Sequence, residues 1–179
     1  MSANSSKFDG VELSASAKRA EDGYIFFFSS RQQITNNGGA GYWLVSSGNK
    51  TIIVTQRIIT TNGDELEYSP WVGSTITDEG TLINHSNLNA ITPLKSTVVA
   101  HVAPTFSDKG IQGTKSYMPG AAGQGNRSVG NVYSNEQENI LPPNTALLLE
   151  VVNNGSENNA EVELYVSWAE VDDPSPFQA

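Results

Sequence analysis

The strongest constraint on the fold is an unbroken alternation near the C-terminus. From Ala160 to Trp168, the residues Ala160, Val162, Leu164, Val166 and Trp168 occupy odd steps, and Glu161, Glu163, Tyr165 and Ser167 the even ones. Successive side chains of an extended backbone point to opposite sides, so this segment reads as an antiparallel strand with one buried face. In the preceding apolar run, Leu147, Leu149 and Val151 share one face and Leu148, Glu150 and Val152 the other. The intervening Asn153–Asn159 contains Gly155 and four Asn, residues that tolerate left-handed turn geometry. Together the two segments predict a β-hairpin whose longer loop reverses the chain in solvent.

Further strands are expected upstream. Tyr24–Ser29 (YIFFFS) is aromatic-rich, and Gly41–Ser46 (GYWLVS) follows the turn sequence NNGGAG. Lys50–Thr61 is β-branched nearly throughout, and its length suits a twist or bulge. In ELEYSPW, Pro70 points to an edge or a strand end. Thr81–Leu88 and Ser96–Ala103 are further strands, while Val11–Ala17 fits a strand or a short helix. No long 3.6-residue amphipathic pattern appears. The fold class is therefore all-β, antiparallel, with about 8–10 strands, which fits a β-sandwich, jelly roll or barrel.

One stretch does not alternate. Pro104–Asn139 holds six Gly and two Pro, and reads as a long Gly-rich excursion. The expected organisation is an extended N-terminal arm (1–10), one domain (11–171, with the long loop at 104–139) and a C-terminal tail (172–179).

Composition narrows the function. Across 179 residues the formal net charge is -9, and Asn, Ser and Thr far outnumber the 10 Lys+Arg. A polyanionic nucleic acid or an anionic membrane needs clustered cations, so neither is an expected partner. There is no cysteine, which removes disulfides and thiolate metal sites. No apolar run approaches the ~20 residues that span a bilayer, and the N-terminus lacks a secretory signal pattern, so the expectation is a soluble protein made in the cytosol.

Residues able to do chemistry are scattered. His85 and His101 fall in different strands without a third ligand at recognisable spacing, so no metal site is expected. Asp64, Glu65 and Glu67 follow a turn and could flank a sugar as paired acids; surface charge is the simpler reading. GAAGQGNRSVG (Gly120–Gly130) lacks the Lys-Ser/Thr ending of a phosphate loop. The four Asn-x-Ser/Thr triplets at Asn49, Asn84, Asn126 and Asn154 are what a chain this rich in those residues produces by chance. Nucleophile elbows and triad signatures are missing, so the expectation is a non-enzyme without cofactor. Trp43 and Trp168 read as core, whereas Trp71, Tyr117 and Tyr133 lie near loops and could stack on a sugar or fill a partner's pocket.

The segment Ile140–Asp173 (ILPPNTALLLEVVNN to AEVELYVSWAEVDD) resembles the C-terminal part of a diffuse group of tailed-bacteriophage virion proteins. The matching residues are Leu141, Pro143, Asn144, Thr145, Val152, Asn153, Asn154, Gly155, Trp168 and Glu170. The resemblance implies a jelly-roll-like sandwich, often trimeric, that serves as a capsid decoration (cement) protein or a tail or fibre component. On the first reading the chain is a homotrimer on the outer capsid surface of a virion, made in the host cytoplasm, with the major capsid protein as partner. The arms and the Gly-rich excursion would grip it, with Lys7, Phe8, Arg127, Tyr133 and Phe177 as contact candidates. On the alternative, a tail-fibre or receptor-binding module recognises host-surface carbohydrate through Trp71 and Tyr117.

Overall fold

A computed structural model describes residues 19–20, 22–61, 65–91, 93–118, 128–130, 139–156 and 158–172. Val11–Ala17 lies outside them, as do residues 1–10, residues 173–179, and residues 119–127 and 131–138 of the Gly-rich stretch.

Alternation builds two antiparallel sheets. The first five strands are β1 (Ile25–Ile34), β2 (Gly39–Ser46), β3 (Thr51–Thr61), β4 (Leu66–Val72) and β5 (Thr75–Asp78). Next come β6 (Thr81–Ile83), β7 (Ser86–Asn87), β8 (Val99–Val102), β9 (Thr105–Asp108) and β10 (Ile111–Gln112). The last are β11 (Ser116–Met118), β12 (Ser128–Gly130), β13 (Asn139–Leu141), β14 (Ala146–Asn153) and β15 (Ala160–Val171). One sheet runs β12-β3-β15-β1-β7, with β13 also on β3; the other runs β10-β4-β14-β2-β8-β6, with β11 also on β4. The count exceeds the expected 8–10 because several edge strands are only two to four residues long. Pieces this short carry too little pattern to be told apart: Thr81–Leu88, expected as one strand, is β6 in the second sheet and β7 in the first.

The two sheets face each other across one core. Phe26, Phe28, Val54, Ile59, Val162, Leu164 and Trp168 come from the first sheet, and Trp43, Val45, Leu66, Tyr68, Leu147, Leu149 and Val151 from the second. Each such apolar side chain contributes about 1.5–3 kcal/mol on leaving water. The Trp168 ring stacks on Phe26 at 6.0 Å between centroids and tilts against Phe28 at 6.1 Å. Both Trp43 and Trp168 are fully buried, as their strands imply.

One reading is corrected. The segments of the predicted hairpin are β14 and β15, and they do not pair: β14 lies between β2 and β4, and β15 between β1 and β3. The loop between them therefore carries the chain from one sheet to the other. Alternation gives each strand a buried face but does not say whether two such strands lie side by side or face to face. The loop exposes Asn154, Ser156, Asn158 and Asn159 to solvent, as expected, but is anchored at its base. Asn153 is fully buried; its Nδ2 donates to the Ile34 and Asn158 carbonyls, and its Oδ1 accepts the Gly155 N–H.

The Gly-rich excursion also proves more structured than its composition suggests. Within it, β9, β10, β11 and β12 pair with β5, β4, β4 and β3 respectively. Pro70 sits in β4 where β10 gives way to β11, so its missing N–H breaks no ladder there. The expected bulge in the long third strand falls at Thr55: Ser167 faces Gln56, and Trp168 faces Val54.

Strands β5 and β9 form a separate two-stranded ribbon. Left-handed residues stand at all four of its ends: Gly73 and Gly80 flank β5, and Ala103 and Gly110 flank β9. The chain thus leaves the second sheet at β4 and β8 and rejoins it at β6 and β10.

Candidate functional site

On the outer face of the second sheet, a row of paired positions reads Leu82, His101, Leu44, Leu148, Trp71 and Gln112 across six strands. Leu44 and Leu148 alternate with core residues and so point outward, yet they are 1% and 0% exposed. The β5–β9 ribbon is the layer on that side. Phe106 of β9 packs edge-on against Tyr42 of β2, with ring centroids 4.9 Å apart.

Glu150 stands in the same face, in the middle of β14, and is only 5% exposed. A carboxylate so buried needs hydrogen-bond donors. Both flanking strands supply one: the Tyr42 hydroxyl donates at 2.9 Å from β2, and the Trp71 indole N–H donates at 2.8 Å from β4. The third donor is Lys109 Nζ, from the turn after β9, at 2.5 Å. That ammonium also lies 5.2 Å from the Trp71 ring centroid, 5.4 Å from Tyr42 and 5.9 Å from Phe106. Three aromatic rings and a carboxylate around one ammonium form a cation cage. Burial alone would lower the Lys109 pKa, but the Glu150 hydrogen bond and charge outweigh it and hold the amine above its ordinary value. Tyr42 is also raised, first by burial and then by Glu150.

Further along β4 the outer face stays polar. Glu67 pairs with Lys115 at 2.5 Å, and the Gln112 amide donates to Ser69 Oγ at 3.1 Å. The Glu67 hydrogen bond is the main influence raising the Lys115 pKa. Tyr117 of β11 sits opposite Glu67 and is 64% exposed. The structure therefore places both predicted aromatics, Trp71 and Tyr117, on one face. Four residues of β4 separate their positions, about 13 Å at the usual strand rise. Trp71 is half-buried, with its N–H committed to Glu150 and Lys109 over its ring. Tyr117 is the freer platform.

The other candidates part company. Lys7, Phe8, Arg127, Tyr133, Phe177 and Asp64 lie outside the described residues. His85 packs edge-on against Phe26 and Trp168 beside the core. His101 Nε2 reaches Glu79 at the other end of the ribbon, 3.4 Å away. Among the described residues no three His, Cys, Asp or Glu side chains gather as metal ligands. Neither a protein-family profile nor a curated protein matches the chain.

Motif residues quoted from the C-terminal third do structural work. Asn144, in left-handed geometry, donates its N–H to the Gly48 carbonyl, and Thr145 exchanges hydrogen bonds with Ser47. Glu170 is 3% exposed and receives Ser96 Oγ, both the N–H and the hydroxyl of Thr97, and the Trp168 indole.

Tyr42, Phe106, Lys109 and Glu150 were not singled out from sequence. One signal was available: Glu150 is the only charge in the run ALLLEVV, and an acid inside so apolar a strand needs a partner.

Proposed function

We propose that the chain is a non-enzymatic bacteriophage virion protein, a capsid decoration protein that binds and stabilises the outer surface of the major capsid shell. The observation that carries this reading is where apolar surface is left uncovered. Leu82, Ile111, Tyr117 and Ile140 lie on edge strands of the two sheets; Leu88, Ile91 and Leu94 lie in the β7–β8 connection. Val72 and Val99 sit beside those edges, and Tyr24 just before β1. Among the described residues, β1, β2, β3, β14 and β15 carry no exposed large apolar side chain. Apolar rims on a rigid slab suit docking against neighbours by edge contacts or strand addition.

On this reading the fold is jelly-roll-like and the protein works as a homotrimer, multiplying weak contacts through avidity. Deleting residues 1–9 or 172–179 lowers occupancy on purified heads, measured by co-sedimentation; full occupancy by both truncations refutes the gripping role of the arms. Copy number decides position: hundreds per particle mean a shell component, and a dozen or so mean tail.

A second reading, a receptor-binding module for host-surface carbohydrate, is favoured by Trp71 and Tyr117 sharing one face with Glu67 and Gln112. Glycan-array binding lost on Tyr117→Ala supports it, and a blank array with head binding intact removes it.

A further inference from the structure

The cation cage is assembled from two sources of unequal rigidity. Tyr42, Trp71 and Glu150 belong to three adjacent strands, β2, β4 and β14, whose ladders run the length of the second sheet. Tyr42 and Trp71 hold the two oxygens of Glu150 from opposite sides, so the carboxylate and two ring faces are preorganised without help from the ribbon. Lys109 and Phe106 come from the ribbon, which no backbone ladder joins to either sheet among the described residues. Its attachments on this side are the Phe106–Tyr42 contact, the caged ammonium, and the Ala103 N–H to the Tyr42 carbonyl; Ser74 Oγ, donating to the Lys109 carbonyl, ties the ribbon's own two ends together.

We propose that Tyr42, Trp71 and Glu150 form an alkylammonium-binding site on the outer face of the second sheet, filled in cis by Lys109, whose side chain the β5–β9 ribbon delivers. The ligand class follows from the geometry. The site offers one buried carboxylate for a single positive charge and ring faces for its surrounding methylenes or methyl groups. An ammonium uses both, whereas an anion meets only repulsion and a neutral alcohol forgoes the charge. Ring faces within about 6 Å of a cation attract it through their negative quadrupole, most strongly where water is excluded.

Supplying the cation from the same chain gives it a high effective concentration, so a free ammonium competes poorly while Lys109 is in place. Removing the lysine exposes the receptor. The ribbon is then a strap, closed by the protein's own lysine and openable by a lysine-like group from elsewhere. This inference stands on the cage alone and does not depend on the virion reading.

The test uses the full chain carrying Lys109→Ala, titrated with trimethylammonium and, as a neutral match in shape, tert-butanol. Trp43 and Trp168 are fully buried, so the Trp71 indole N–H resonance is the reporter. The expected result is saturable binding of trimethylammonium in the millimolar range, no saturation with tert-butanol, and affinity at least about tenfold weaker in wild type. Adding Glu150→Gln to the variant abolishes binding. No saturable shift in Lys109→Ala, or an equal response to tert-butanol, overturns the proposal. Should that variant fail to fold, wild type decides: trimethylammonium at high concentration must shift Trp71 together with the amides of Thr105–Asp108, and their silence overturns the proposal equally.

Discussion

At the scale of single residues, the fold depends on a few buried polar groups as well as on its apolar core. Glu170 is the clearest. It lies at the end of β15, where its carboxylate accepts hydrogen bonds from the Ser96–Thr97 segment and from Trp168. Those donors are themselves partly or fully buried, so removing the acid leaves them without partners in a place water reaches poorly. Glu170→Ala is therefore expected to cost about 3 kcal/mol, within the range for breaking a buried charged hydrogen-bond set. Glu65→Ala, at an exposed position, changes stability by under about 0.5 kcal/mol. Urea unfolding of both variants checks the contrast, and equal midpoints would sink it. Of these roles the sequence announces little. An acid two residues beyond a core Trp looks like surface charge until the Ser96–Thr97 segment, seventy residues away in the chain, is seen to fold onto it.

Arg57 illustrates the same limit. Strict alternation from Ile52 and Val54 would carry Gln56 and Ile58 inward and leave Arg57 in solvent. The bulge at Thr55 shifts the parity, so Arg57, Ile59 and Thr61 turn toward the core instead. There the guanidinium donates to the Tyr68 hydroxyl at 2.8 Å and lies 5.5 Å from its ring centroid. A bulge was legible from the length of the segment. Its position was not, and the position decides which side chain is buried.

At the scale of elements, the long strands were readable because each hides one face along its length: YIFFFS, GYWLVS, KTIIVTQRIITT and AEVELYVSW all became strands near the expected bounds. What failed was the relation between two of them. The turn at Asn153–Asn159 has the composition of a solvent loop but works as an arch between sheets. It is stitched to the β1–β2 turn by Asn37 N–H to the Gly155 carbonyl and Gly38 N–H to the Asn153 carbonyl. Asn153 is the centre of that stitching, with its amide donating two hydrogen bonds and accepting one. Asn153→Ala strips all three and leaves buried carbonyls and an N–H unsatisfied, for a loss of about 1–3 kcal/mol. Asn154→Ala, exposed and contributing only its backbone N–H to the Glu65 carbonyl, is expected to stay near wild type. Thermal unfolding of the pair separates the two accounts. If both variants melt alike, the loop is the solvent turn that its composition suggests and the arch is not what holds the sheets in register.

At the scale of the whole molecule, the buried core and the exposed apolar edges are different surfaces, so the proposed assembly is testable without disturbing the fold. The apolar core lies between the sheets, whereas Ile111 is 79% exposed and Leu82 is 61% exposed on opposite edges of the second sheet. Burying either against water-exposed neighbours contributes little to the isolated chain, so Ile111→Lys and Leu82→Lys should each alter unfolding free energy by no more than about 0.5 kcal/mol. A lysine on a sheet edge nevertheless opposes the approach of another strand, because its charge must be desolvated for the edges to pair. If the protein docks by its rims, both variants fold with wild-type midpoints and yet lose occupancy on purified heads. Retained occupancy with both edges charged would show that the sandwich rims play no part in gripping the shell. Substitution on the central strands predicts the reverse: Leu149→Ala, in the core, costs about 2–5 kcal/mol and weakens binding only as far as it unfolds the protein. The two sets of variants, read together by unfolding and by co-sedimentation, distinguish a slab that binds through its edges from one whose binding merely follows its stability.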